Sequence, residues 1–271
     1  MAATEAAPPW QAPTRAAQGF GLGAFRISLR MDCLVPPPLL LALDAAGLRC
    51  SATLARGAEI IATVERAGPS GEAAFLPAMV AELLEGAGLS PPAIAAVAVD
   101  IGPGSFTGLR ASIAFATGFA AGASVPVIAV TLAEALAFTL DTQASDPAIW
   151  CALDARQGRL FLHQGGEPED WAVVRLDDPP LPEAPVRLTG DAAAALGEAL
   201  AARGEALAAR GVAAEITPAI APHARGVAAA ALARLGGQLP PLALQPLYID
   251  PPRALPPRGG LRPPPTAPEA P

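Results

Sequence analysis

Asp100-Ile-Gly-Pro-Gly-Ser-Phe-Thr-Gly-Leu-Arg110 is the stretch that decides the fold. The apolar run Ala93–Val99 before it reads as a buried strand, and the Ala-rich run after it reads as a helix. A glycine-rich turn from strand to helix offers backbone N–H groups and the positive end of a helix dipole, a setting that suits an anion. Two familiar phosphate-binding words are excluded. A P-loop ends in Gly-Lys-Ser/Thr, whereas Gly108 is followed by Leu109 and the chain contains no lysine. A dinucleotide fingerprint needs Gly-x-Gly-x-x-Gly, and Gly102, Gly104 and Gly108 hold one residue too many. Two readings stay open at this point. Gly102, Gly104, Ser105, Thr107 and Gly108 form an anion cradle with Asp44 in a facing turn, or they form a tight turn that seats a helix closely on a sheet.

Outward from this stretch, residues 39–66 read as three strands, Leu39–Leu43, Cys50–Ala55 and Glu59–Val64, with tight breaks at Gly47 and Arg56-Gly57. Residues 72–86 read as a helix, with Phe75, Leu76, Met79, Val80, Leu83 and Leu84 at helical spacing. The helix 108–122, the strand Val125–Val130 and a short helix 131–140 capped by Thr131 follow. The second half begins as the first does. Ala42-Leu-Asp-Ala45 returns as Ala152-Leu-Asp-Ala155, 110 residues later, and Arg49 and Arg159 keep the same offset. Weaker strands at Val186–Leu188 and Ala213–Ile216 then alternate with helices at 191–209 and 222–235. The fold class expected is α/β. Its architecture is two-lobed and actin/Hsp70/sugar-kinase-like, with a duplicated mixed-sheet lobe.

Four segments are expected. Residues 1–37 are a disordered Ala/Pro/Gly leader, with Met1 and Met31 both open as the translation start. Residues 38–140 form an N-terminal, partner-binding lobe, residues 141–250 a C-terminal lobe, and 251–271 a Pro-rich tail that cannot make a regular core element.

Composition narrows the function classes. Hydrophobic residues make up 52% of the 271, charged residues only 16% and aromatics 4%, so a core of small side chains is expected. The net charge is −7 and the arginines are scattered, which argues against a direct grip on nucleic acid by this chain alone. Cys33, Cys50 and Cys151 are odd in number and widely spaced, and His163 and His223 form no metal-binding pair, so neither a disulfide framework nor a metal site is expected. Residues 111–133 carry no charge but are broken by Gly118, Gly122 and Pro126, so they read as a helix, turn and strand. A location in the cytoplasm, away from membranes, is expected.

"AVDIGPGSFTGLRASIAFATGFA" closely resembles the signature of the bacterial TsaB family, also called YeaZ. "LLLALDAAG", "CALDARQGRLF", "LTGD" at 188–191 and "LQPLYIDPP" sit where that family has similar words, so the resemblance covers roughly residues 38–257. It implies the actin/Hsp70-like fold and a non-catalytic partner of TsaD in making N6-threonylcarbamoyladenosine in tRNA. TsaD transfers the threonylcarbamoyl group and TsaE assists with ATP hydrolysis. The partners implied are therefore a TsaD-like catalytic subunit in a heterodimer, a TsaE-like ATPase, and tRNA through the complex. Homodimer and monomer stay open for the isolated chain. TsaD-type subunits are longer and carry a metal-binding H-x-x-x-H helix, which this sequence lacks. The chain departs from its family at Asp44-Ala45-Ala46, where members often have Asp-Thr-Ser, and near Gly71, where a His is usual. Both changes weaken a case for nucleotide hydrolysis. No tightly bound cofactor is expected, and ATP or ADP at the partner interface is left open.

A scaffold role implies a docking face. In the family, the N-terminal lobes of the two subunits meet through helices. The interface candidates are Phe75, Leu76, Met79, Val80 and Leu83 on helix 72–86, with Arg110, Phe115 and Phe119 on helix 108–122. Ala111, Ala114, Gly118 and Ala121 would allow close helix approach. The alternative is that both apolar faces are internal core. On the docking reading, Phe115→Asp or Met79→Asp leaves the lobe folded and abolishes partner binding. No catalytic residue is assigned. Asp44 and Asp154 could face each other as paired carboxylates across a cleft, or each could cap its own hairpin. The rival enzyme reading is an ATP-binding or ATP-hydrolysing member of the same fold. A protease with Ser105 as nucleophile fails, because Gly-Ser-Phe-Thr-Gly is not Gly-x-Ser-x-Gly.

Overall fold

The computed structural model describes residues 37–47, 49–67, 72–140, 146–167, 169–204, 211, 213–217 and 223–250. The expected leader to residue 36, the Pro-rich tail, the question of Met31 and the position near Gly71 lie outside the described residues.

The first sheet contains β1 (Leu39–Asp44), β2 (Arg49–Arg56), β3 (Glu59–Ala67), β4 (Ala96–Asp100) and β5 (Val127–Val130), in the order β3-β2-β1-β4-β5. β1 pairs antiparallel with β2 and parallel with β4, β2 antiparallel with β3, and β4 parallel with β5. The second sheet contains β6 (Ala148–Asp154), β7 (Arg159–His163), β8 (Trp171–Arg175), β9 (Val186–Thr189) and β10 (Ala214–Ile216). Read from the other edge its order is β8-β7-β6-β9-β10, with the same sequence of antiparallel and parallel pairings. The expected duplication is therefore present strand for strand. The strand β8 was not anticipated from the sequence.

Five α-helices complete the described residues: α1 (Leu76–Gly86), α2 (Phe106–Ala123), α3 (Leu132–Thr139), α4 (Ala193–Ala201) and α5 (Ala224–Leu235). A short 3-10 turn, Glu72–Phe75, leads into α1, where Pro77 stands in the first turn and lacks only an N–H that the helix would not have used. Thr131 and Glu134 form a reciprocal capping box at α3.

Alternation along β1 and β4 explains the layers. Leu39, Leu41, Leu43, Val97 and Val99 face a core shared with α1 and α2. Leu40, Ala42, Ala96 and Ala98 face the opposite core, shared with α3 and α5. A sheet with parallel strands at its centre must be covered on both faces. The second cover comes from α5, which the sequence reading placed in the lobe 141–250. Its buried Ala224, Val227, Ala228, Ala230 and Ala231 are small enough to lie flat against the alanines of the first sheet. The chain thus returns to its first lobe after completing the second. Along β6, Trp150 and Ala152 face the core of the second lobe, with Leu188, Leu196 and Leu200. Cys151 and Leu153 point the other way and meet Ala46, Leu109, Leu132 and Leu136 of the first lobe.

Candidate functional site

Two glycines of the opening stretch bring two turns into backbone contact. Ser105 N–H donates to Ala46 O at 2.6 Å. A Cβ on Gly104 would lie 2.3 Å from Ala46 O, and one on Gly108 would lie 2.1 Å from Ala45 O. Only glycine permits that approach. Gly102 N–H donates to Asp100 Oδ1 at 2.7 Å, and Gly108 N–H donates to the Ser105 hydroxyl at 3.2 Å. The N–H groups of Gly102, Ser105 and Gly108 are therefore already used within the chain, and Ser105 is the N-cap of α2. Thr107 is exposed beside them. The structure brings Asp44, Gly102, Gly104, Ser105 and Gly108 together, in an arrangement where protein atoms take three of the turn's N–H donors.

Of the two readings of Asp44 and Asp154, the structure shows each acid capping its own turn. Asp44 and Asp154 do not pair across a cleft; the partner of Asp44 is Asp100, at the end of the neighbouring parallel strand. Asp44 Oδ1 accepts from Ala46 N–H at 3.0 Å, as Asp100 Oδ1 accepts from Gly102. Each acid thus holds its own following turn. Neither Oδ2 has a hydrogen-bond partner, and each acid lies within electrostatic reach of the other. Burial pushes Asp44 up to about 6. Burial first, and then the charge of Asp44, hold Asp100 well above the usual carboxylate range. Asp154 accepts from Arg156 N–H at 2.7 Å, and its own N–H donates to Asp191 Oδ1 at 2.9 Å. Asp191, raised chiefly by burial, stands to Asp154 in the second lobe as Asp100 stands to Asp44 in the first.

The helical candidates divide sharply. Leu76, Met79, Val80 and Leu83 are buried in the core of their own lobe. Helix α1 lies in a corner between β2, β3 and α2, so neighbours inside the chain consume both rows of its wide stripe. The expectation that Met79→Asp leaves the lobe folded is therefore corrected: Met79 has no exposed surface. Phe115 and Phe119 are half-buried against the same core, their rings 6.1 Å apart. Phe75 is 48% exposed, beside Arg66. On α2 the outer row Arg110, Ala114, Thr117, Gly118, Ala121 and Gly122 is exposed. Nothing lies within 4 Å of a Cβ added at Gly118 or Gly122.

Arg110 is exposed but occupied. Its guanidinium lies 3.9 Å from the centroid of the Phe106 ring, and its Nε donates to the Tyr248 hydroxyl at 2.7 Å. Phe106 and Tyr248 stack at 5.5 Å. The sequence reading assigned no role to Asp100, Phe106, Asp191 or Tyr248. Asp100 and Tyr248 stood inside quoted family words, and the echo of Asp44 at Asp154 could have prompted a search for Asp191. Among the described residues, no cluster of His, Cys, Asp and Glu is placed to hold a metal, and no helix is long and apolar enough to cross a membrane.

Residues 73–180 match the family model described as TsaD, tRNA N6-adenosine threonylcarbamoyltransferase. The chain is 34% identical over 139 residues to the tRNA threonylcarbamoyladenosine biosynthesis protein TsaB of Escherichia coli, covering 51% of this chain and 56% of that one. It is 34% identical over 125 residues to the protein of the same description in Haemophilus influenzae, covering 46% and 52%. The matches thus span just over half the length of these curated relatives. The solved structure of YeaZ from Pseudomonas aeruginosa superposes with a TM-score of 0.56 at 26% identity, covering 74% of this chain and 95% of that one. Sequence relatives and solved structures thus both support a likeness to the TsaB (YeaZ) family. A second Pseudomonas aeruginosa structure, described as similar to peptidase YeaZ, is matched over its whole length at the same TM-score of 0.56 and 26% identity. The likeness to the TsaB family agrees with the duplicated lobe and with the Gly-Pro-Gly-Ser-Phe-Thr-Gly turn at its centre.

Proposed function

We propose that this chain is a non-catalytic subunit in the synthesis of threonylcarbamoyladenosine on tRNA, binding and supporting a TsaD-like transferase. A TsaE-like ATPase and the tRNA join through that complex, and the setting is the cytoplasm. The outer row of α2, from Arg110 to Gly122, is the docking face, with Phe75 at its side and the edges of Phe115 and Phe119 beneath it. The observation that carries the reading is the open space over Gly118 and Gly122, on a helix whose other faces are filled. Small residues allow a second helix to approach closely, and an aromatic or arginine at the rim then supplies the anchor. The closure of Gly102, Ser105 and Gly108 onto the chain's own acceptors supports a supporting rather than a nucleotide-converting role.

The test is co-purification of the full chain with the TsaD-like protein of the same organism, followed by threonylcarbamoylation of tRNA with and without this chain. The expected result is a stable complex and modification that depends on this chain. Undiminished modification in its absence would reject the supporting role.

A further inference from the structure

The segment after α5 crosses from one lobe to the other. Pro240 O accepts from Arg234 Nε at 2.6 Å, and Leu239 and Leu242 pack against the two cores of the first lobe. Leu247 N–H then donates to Ile101 O at 2.8 Å, which lays the segment along the glycine-rich turn. Tyr248 stacks on Phe106 and accepts from Arg110. Two residues on, Asp250 pairs with Arg159 Nη1 of β7 at 3.0 Å. The chain is thus fastened to the first lobe at Tyr248 and to the second at Asp250.

Among the described residues the lobes also share an apolar cluster, with Ala46, Leu109, Leu132 and Leu136 on one side and Cys151 and Leu153 on the other. Apolar contact is non-directional and lets surfaces slide. A stacked, hydrogen-bonded tyrosine followed by a charge pair is directional. We propose that residues 247–250 are a latch that fixes the angle between the two lobes, with Tyr248 and Asp250 as its two points of attachment. The latch goes beyond the docking role and stands independently of which partner the chain meets.

The two attachments differ in kind, which makes them separable. The Arg159–Asp250 pair is partly solvent-exposed, with side chains 25% and 28% accessible, so salt weakens it. The Phe106–Tyr248 stack is not electrostatic in origin to the same degree and persists.

The test measures the distance between lobes in the full chain by double electron–electron resonance. Spin labels go on Glu82→Cys of α1 and Glu215→Cys of β10, both exposed, with Cys33→Ser; Cys50 and Cys151 are buried. The expected result is one narrow distribution. It broadens in Tyr248→Ala, in Arg159→Ala and in the unmutated latch at about 1 M salt. It narrows again when Arg159→Asp is combined with Asp250→Arg. Circular dichroism confirms that each variant is folded. A distribution as narrow in the combined Tyr248→Ala, Arg159→Ala chain as in the parent would overturn the latch. Failure of the charge swap to restore a distribution broadened by Arg159→Ala would overturn the attachment at Asp250.

Discussion

Asp44 and Asp100 end neighbouring parallel strands, and each carboxylate anchors the turn that packs against the other's. Their Oδ2 atoms are buried without a hydrogen-bond partner. A pair of buried acids at the crossing of two turns acts on stability before it acts on chemistry.

The sign of its pH dependence follows from the directions of the shifts. Both folded pKa values lie above the unfolded ones, so the pair's favourable contribution is complete below about pH 4 and is lost as pH rises through the folded values. For Asp44 the rise from 3.8 to about 6 corresponds to on the order of 3 kcal/mol. Asp100→Asn keeps an acceptor oxygen for Gly102 and removes a charge. Urea unfolding across pH is expected to show Asp100→Asn more stable than the parent at about pH 8, with the gap closing towards about pH 4. A variant less stable than the parent at the higher pH would contradict this account of the buried acids.

Gly104 and Gly108 mark a different kind of constraint from Gly118. An added methyl at either of the first two strikes backbone carbonyl oxygen, at 2.3 Å and 2.1 Å. Gly104→Ala and Gly108→Ala are each expected to cost about 1–3 kcal/mol or more, read as a lowered Tm. At Gly118 the methyl meets nothing within 4 Å, so Gly118→Ala should stabilise α2 by up to about 1 kcal/mol. Equal effects at the three sites would contradict the turn packing.

Arg234 and Glu134 form a buried ion pair, with side chains 7% and 1% exposed. Arg234 also donates to Ala129 O and Pro240 O, so it joins α5, α3 and β5. Arg234→Met leaves Glu134 buried without its counter-charge. The expected loss is about 3–5 kcal/mol in urea unfolding, with faster amide exchange in α5. An unchanged stability would show that α5 is held by apolar contact alone.

Met79 and Phe75 lie four residues apart and answer separate questions. Met79→Asp places a carboxylate in a filled core and is expected to unfold the first lobe, seen as loss of cooperative melting. Phe75→Asp, on a half-exposed ring, should shift Tm little and weaken partner binding. A folded Met79→Asp protein would contradict the packing of α1.

Much of this was legible in residues. Helical spacing located α1, and the strand–Gly–helix word located β4 and α2. The repeat of Ala-Leu-Asp-Ala pointed to duplication, and the two sheets share one order of pairings. What periodicity could not say was which neighbour covers each face. A wide stripe on α1 looks the same whether a partner or α2 and the sheet fill it. The place of α5 was hidden for a related reason: its alanines fit many surfaces, and only the bare second face of the first sheet selects one. The link from Asp44 to Asp100 spans 56 residues of sequence and depends on strand order, which the motif alone does not carry.

The proposed docking face of α2 is tested most directly by Gly118→Arg in the full chain, run with the TsaD-like protein on size-exclusion chromatography. The added side chain enters open space in the chain alone, so the variant should melt at or above the parent's Tm. The account predicts that this folded variant elutes apart from the TsaD-like protein while the parent co-elutes. Co-elution of Gly118→Arg as complete as that of the parent would contradict it.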